Sequence, residues 1–216
     1  MKNTSATQIH QNKHAIARLS LIFVEKNMQT IEPFSRWDKL YKASEDPLSH
    51  YFGEVHDTLI CRDTIYNHYI HPQWESFGSK TLYLKILFTN YEKQYTIIEM
   101  LGEWNDCLYN DIMYLKRNII EHLEEKGIQK FILIGENVLN FHYSDDSYYE
   151  DWFNDVEDGW IVAINFREHV LHEFDKINLN YYLLYGGRFN EVKWRITTPQ
   201  KLFEAIDHLA SHALNP

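Results

Sequence analysis

Apolar residues recur along this chain with two spacings, and the switches between them mark its elements. From Lys13 to about Glu32, Ile16, Leu19, Ile22, Phe23 and Val24 follow helical spacing, which predicts an amphipathic helix ending before Pro33. Residues 33–79 are rich in Trp and Tyr but keep no period, so short helices and loops packed on the rest are expected there.

After Gly78 the pattern becomes regular. TLYLKILF (81–88) and QYTIIEML (94–101) are β-prone and separated by a short polar turn, which predicts a hairpin. Leu108, Ile112, Leu115, Ile119 and Leu123 then step by four and three, a helix with its N-cap at Asn105 or Asp106 and its stop at Gly127. FILIG (131–135), WIVAINF (160–166) and YYLLY (181–185) are short apolar runs of the kind buried on both faces of a parallel sheet. Asn165, with Glu168 three residues on, is the expected cap of a helix over 166–176 that buries Val170, Leu171, Phe174 and Ile177. Thr198-Pro199 opens a last helix whose apolar stripe is Leu202, Phe203, Ile206, Leu209 and Ala210. Val192, Trp194 and Ile196 alternate within 190–197, predicting a further strand turned by Gly186–Asn190.

Alternation of strands with helices predicts an α/β fold of three layers: a mixed, mostly parallel sheet with helices on both faces. Residues 80–216 are expected to form this domain, and 1–79 an N-terminal helical and irregular extension packed on it. The outline is similar to flavodoxin-like or STAS-like sheets, a likeness that concerns fold and not activity.

A chain of 216 residues buries roughly 70% of its unfolded surface and folds without a disulfide or metal. Its two cysteines, Cys61 and Cys107, are far apart, which favours a cytoplasmic setting. Cys107 falls at a helix start, where a thiolate is stabilised, although a lone thiol reads more simply as a small buried hydrophobe. The segment MKNTSATQIHQNKH has no apolar stretch of the signal-peptide kind, and the run Leu21–Val24 is far short of the roughly 20 residues of a membrane span. No membrane association is expected.

The formal charge is −10, and residues 131–166 contain eight acids and no Lys or Arg. Phosphate backbones are repelled by such a surface, so nucleic acid is not an expected partner. Most of these acids fall within FHYSDDSYYEDWFNDVEDGW (141–160). Ser147 and Glu150 fit a reciprocal capping box, and Tyr149, Trp152, Phe153 and Val156 form one apolar helix face. The acids then occupy the solvent face, and neutralising Asp151 and Asp155 is expected to change stability by less than about 0.5 kcal/mol. An EF-hand loop centred on Gly159 fails, because Val156 and Asn165 stand where carboxylates are required.

His142, Asp145 and Asp146 escape that helix. In open parallel sheets ligands bind beyond the carboxyl ends of the strands, a rim made here by GEWND, GENVLNFHYSDD, NFRE and YGGRFN. The candidate catalytic residues on it are Glu136, His142, Asp145 and Asp146, and the candidate ligand-binding residues are Glu103, Asp106, Asn137, Arg167 and Arg188. Carboxylates with a histidine can hold a divalent metal ion or exchange protons, and arginines can grip an anionic group. His56, Cys61, His68 and His71 are a sparser, zinc-like set better read as ordinary polar residues. Nucleotide-binding, serine-hydrolase and HExxH signatures are all missing. Two functions are thus expected. The leading one is a non-enzymatic binding or regulatory protein presenting the acidic surface of 145–158 to a basic protein partner or a small molecule. The other is a metal-dependent or acid–base hydrolase at the strand edge.

Overall fold

The computed structural model describes residues 29–56, 61, 63–156 and 158–214. The helix expected over 13–32 lies almost wholly outside these residues, and its last part is a strand, β1 (Gln29–Ile31). Within 33–79 a 3-10 turn at Ala43–Glu45 is followed by β2 (Thr64–Ile65) and β3 (His68–Ile70). The three short strands form a sheet in the order β1-β3-β2, with β3 parallel to β1 and antiparallel to β2.

The main sheet has the order β4-β5-β6-β7, comprising Leu82–Asn90, Tyr95–Asn105, Lys130–His142 and Trp160–Ile164. β4 and β5 form the expected antiparallel hairpin, whereas β5–β6 and β6–β7 are parallel, so both sheets are mixed. An irregularity at Leu87 shifts the β4 register. It breaks the alternation: Leu82, Leu84 and Ile86 join one core cluster, and the consecutive Leu87 and Phe88 both pack on the other.

The sheet separates two apolar clusters. Ile98, Met100, Phe131, Leu133, Ile161 and Ala163 face one, and Tyr95, Ile97, Ile132, Ile134, Trp160 and Val162 face the other. Strand order follows chain order, and of the five short helices that follow β5, β6 and β7 all but the first contribute apolar residues to the first cluster. The five are α1 (Asp106–Tyr109), α2 (Asp111–Leu115), α3 (Glu121–Glu125), α4 (Ser147–Asp155) and α5 (Glu168–Lys176). α6 (Pro199–Leu214) covers the opposite face with Leu202, Phe203, Ile206 and Ala210, joined there by Phe34 and Trp37. No helix among the described residues is long and apolar enough to cross a membrane.

Several expectations are corrected. The helix read as continuous from 106 breaks at Asn110, which is left-handed, and Lys116–Ile120 wind as a π-helix between α2 and α3. Leu108 is therefore exposed, while the π-turn lets Ile119 and Ile120 both be buried. β6 continues through residues 136–142, which were expected as loop. There Val138 and Phe141 are buried and the residues between them half-buried, because β7 stops opposite Ile134 and leaves that length paired on one side.

The capping box does not form. Asp146 is the α4 N-cap residue, and Ser147 donates both its N–H and its hydroxyl to Asp145. Phe153, expected on the buried face, is exposed. α5 begins at Glu168, with left-handed Asn165 outside it. In place of a strand at 181–185 there is a 3-10 turn, Leu179–Tyr181, and a single parallel bridge from Leu184 to Val162. In place of a strand at 190–197 there are two 3-10 turns, Gly187–Glu191 and Trp194–Ile196. Alternation imitated a strand there, but what fixes the segment is the burial of Trp194.

Candidate functional site

The rim after β7, beside the part of β6 that β7 leaves unpaired, holds a cleft of about 330 Å³ lined by Glu136, Asn165, Asn190, Trp194 and Arg195, among others. Glu136 projects from β6, and both its oxygens are engaged. Trp194 Nε1 donates to Oε1 at 2.7 Å, and Arg195 Nε donates to Oε2 at 2.8 Å. Arg195 also reaches Glu99 at 3.4 Å, and its guanidinium stacks over the Trp194 ring at 4.5 Å. Glu99 is a fully buried carboxyl of β5 that accepts from the Phe34 N–H at 2.8 Å. Burial pushes its pKa up to about 7, against the lowering effects of the Phe34 N–H and the Arg195 charge.

This cluster binds the segment at 34–37, the central strands and the turn at 194–197 into one clamp, strengthened by Trp37 Nε1 donating to the Thr197 carbonyl at 3.0 Å. Because both oxygens of Glu136 are engaged, one of them by the Arg195 cation, it is poorly placed to act as a free base. The cleft's unmet demand lies in Asn165 Oδ1 and Asn190 Oδ1, both buried and without a hydrogen-bond partner. Such acceptors suit a ligand that donates hydrogen bonds.

The other predicted residues are dispersed. Arg167 meets Glu136 only at its backbone, Nε donating to the carbonyl at 3.3 Å, and Arg188 is exposed on the 3-10 turn at 187–191. Asn137 lies on β6 opposite Leu101, and His142 is exposed at the end of that strand opposite Asn105. Asp145 serves Ser147, and Asp146 accepts from the Tyr182 hydroxyl at 2.8 Å. Glu103 accepts from the Tyr66 hydroxyl and from Asn140 Nδ2, beside a separate cleft of about 230 Å³.

Asp106 is buried and accepts from Trp104 Nε1 at 3.0 Å, the Ile112 N–H at 2.8 Å and the Tyr149 hydroxyl at 2.7 Å. Burial raises its pKa to about 7 although these donors pull it down. It knots β5, α2 and α4 together. Cys107, read as a buried hydrophobe, is exposed, and both cysteines are free thiols.

One group among the described residues brings three ligating atoms within 4.8 Å of one another: Glu54, His56 and Glu75. None of the predicted rim residues belongs to it, and of His56, Cys61, His68 and His71 it includes His56 alone. Glu75 is buried, and its backbone is held in a bridge to Leu84 of β4 by bonds of 2.7 and 3.1 Å. His56 Nε2 lies 2.9 Å from Glu75 Oε1. Burial, and then the adjacent Glu54, push the Glu75 pKa up to about 8.

Sequence reasoning missed Glu99, Arg195, Glu54 and Glu75. Glu99 carried a signal, as the one charge in the apolar run YTIIEML. Glu54 and Glu75 lie in a segment without periodicity, and Arg195 in one whose alternation imitated a strand. No protein-family model matches this chain, and no curated protein does either.

Proposed function

We propose that this is a non-enzymatic binding or regulatory protein that meets a basic partner through the surface of residues 145–158. The observation that carries the reading is the free state of its charges. Asp145, Asp146, Glu150 and Asp151 are all exposed, and among the described residues no Lys or Arg pairs with any of them. Aromatic rings lie among these acids. Tyr182 bonds Asp146 and packs against the exposed Phe153 with centroids 6.1 Å apart, while Tyr143 and Tyr181 are exposed nearby in sequence. Carboxylates with rings suit Lys and Arg side chains, through charge-assisted hydrogen bonds and cation–π contact. The same surface disfavours nucleic acid.

This reading goes with a three-layer α/β domain over 80–216 and an extension over 1–79, supported by helices on both faces of the main sheet. Two free thiols support a cytoplasmic setting.

Titrating the full chain with an Arg- and Lys-rich peptide is expected to show saturable binding that weakens as salt rises. Asp146→Lys with Glu150→Lys should abolish it, while Glu168→Lys on α5 should not. Equal affinity in all three proteins would remove the proposal.

The hydrolase reading is second and is favoured by the cleft at Glu136, Asn165 and Asn190 with its two unsatisfied acceptor oxygens. A small hydrogen-bond donor that protects Asn165 and Asn190 from hydrogen exchange, leaving 145–158 unaffected, would place function there instead.

A further inference from the structure

We infer that Glu54, His56 and Glu75 form a binding site for one divalent transition-metal ion, zinc foremost. One imidazole and two carboxylates are a mixed nitrogen–oxygen donor set of the kind zinc takes, with positions left for water. The three ligating atoms already lie within 4.8 Å of one another. Ligands of a tetrahedral zinc at about 2.0–2.2 Å stand roughly 3.4 Å apart, so the His56–Glu75 pair at 2.9 Å opens slightly to admit the ion.

The site is anchored rather than adventitious. Glu75 is locked to the edge of β4, and Glu54 is set by the turn in which its N–H donates to the Tyr51 carbonyl at 3.1 Å. The cleft containing His56 and Glu75 is about 50 Å³, room for an ion and a water or two. Charge argues the same way. Lys85, on the same cleft, is taken by Asp38 at 3.1 Å, and Lys42 by Glu45 at 2.6 Å. Among the described residues neither lysine forms an ion pair with Glu54 or Glu75, and a dication would neutralise both carboxylates.

An independent observation comes from Tyr51. Its hydroxyl is buried and has no hydrogen-bond partner, and the ring is 1% exposed. Burial, and then the charges of Glu75 and Glu54, hold the phenol proton above its ordinary range.

A second zinc-capable feature must be kept apart in the test. His208 and His212 on α6 sit one turn apart on the surface, with Nε2 atoms at 3.2 Å. Full-length protein stripped with a chelator should bind one zinc per chain by calorimetry, gain thermal stability, and give visible d–d absorption with Co²⁺. His208→Ala with His212→Ala should retain all three results. His56→Ala should weaken zinc at least tenfold while keeping the metal-free melting temperature, which shows that the fold is intact. Glu75→Gln should do the same to binding, whatever it does to stability. The proposal is overturned if zinc and cobalt produce no saturable binding, or if binding survives His56→Ala and is lost with the α6 pair.

Discussion

Asp106 and Asp145 have the same side chain and were both read as candidates for chemistry, yet their surroundings give them different work. Asp145 is exposed and organises only the start of α4 through Ser147. Asp106 is buried, with Trp104 and Ile112 donating to one oxygen and Tyr149 to the other. Truncating it strands three donors in an apolar setting, and an unsatisfied buried group costs about 1–3 kcal/mol. Asp106→Ala should therefore lose about 3 kcal/mol or more on urea unfolding. Asparagine keeps the oxygen that serves Trp104 and Ile112 and presents an amide to the Tyr149 hydroxyl, which can accept. Asp106→Asn should thus stay within about 1 kcal/mol of the parent. Similar losses in both variants would mean that the carboxylate charge, not its acceptor geometry, holds this knot.

Among the elements, α4 shows what the pattern of residues could and could not disclose. Its apolar stripe placed Tyr149 and Trp152 correctly in the core, but sequence spacing could not show that Asp155 reaches the buried Lys116 at 2.6 Å. Lys116, inside the π-turn, is also held by Glu124 at 2.7 Å, so it bridges α3 and α4. The two surface neutralisations expected to be silent therefore separate. Asp151→Asn should stay within about 0.5 kcal/mol. Asp155→Asn should lose about 1–2 kcal/mol, the worth of a hydrogen bond to a charged group, with Glu124 limiting the damage. Parallel urea titrations of the two variants check this, and equal stabilities would show that Lys116 needs only Glu124. Runs such as FILIG and WIVAI were legible because a strand buried on both faces must be apolar at every position. The far half of β6 was not, since GENVLNFH is buried only at intervals and contains residues that also favour turns. At 190–197 the failure was the opposite, because Trp194 is held by an indole bond to Glu136 and by ring packing, neither of which leaves a period. Glu54, His56 and Glu75 were out of reach for a related reason: nothing in an aperiodic segment says which turn brings residue 54 to residue 75.

At the scale of the whole molecule, the buried carboxyls of Glu99 and Asp106 couple folding to pH in an uncommon direction. Each is raised by burial to about 7, from ordinary values of 4.5 for Glu99 and 3.8 for Asp106. Between roughly pH 4 and 7 the folded chain keeps protons that the unfolded chain has released, so stability must fall as pH rises. The contribution is complete below the unfolded pKa values and is lost by the time pH passes about 7. Each group can steepen the slope by at most about 1.4 kcal/mol per pH unit. Repulsion within a chain of formal charge −10 acts in the same sense as its exposed acids ionise. Urea midpoints measured with a chelator present should therefore be higher at pH 5 than at pH 8. The two causes separate in Glu99→Gln, which removes one titrating group from the clamp of Phe34 and Arg195 while leaving the surface charge alone. That variant should unfold with a flatter pH profile across 5–7 and approach or exceed the parent above pH 7, where the parent buries a charge and the amide does not. An unchanged slope would remove Glu99 as a contributor and leave the pH dependence to Asp106 and surface repulsion. A parent more stable at pH 8 than at pH 5 would mean that Glu99 and Asp106 are not desolvated as this fold places them.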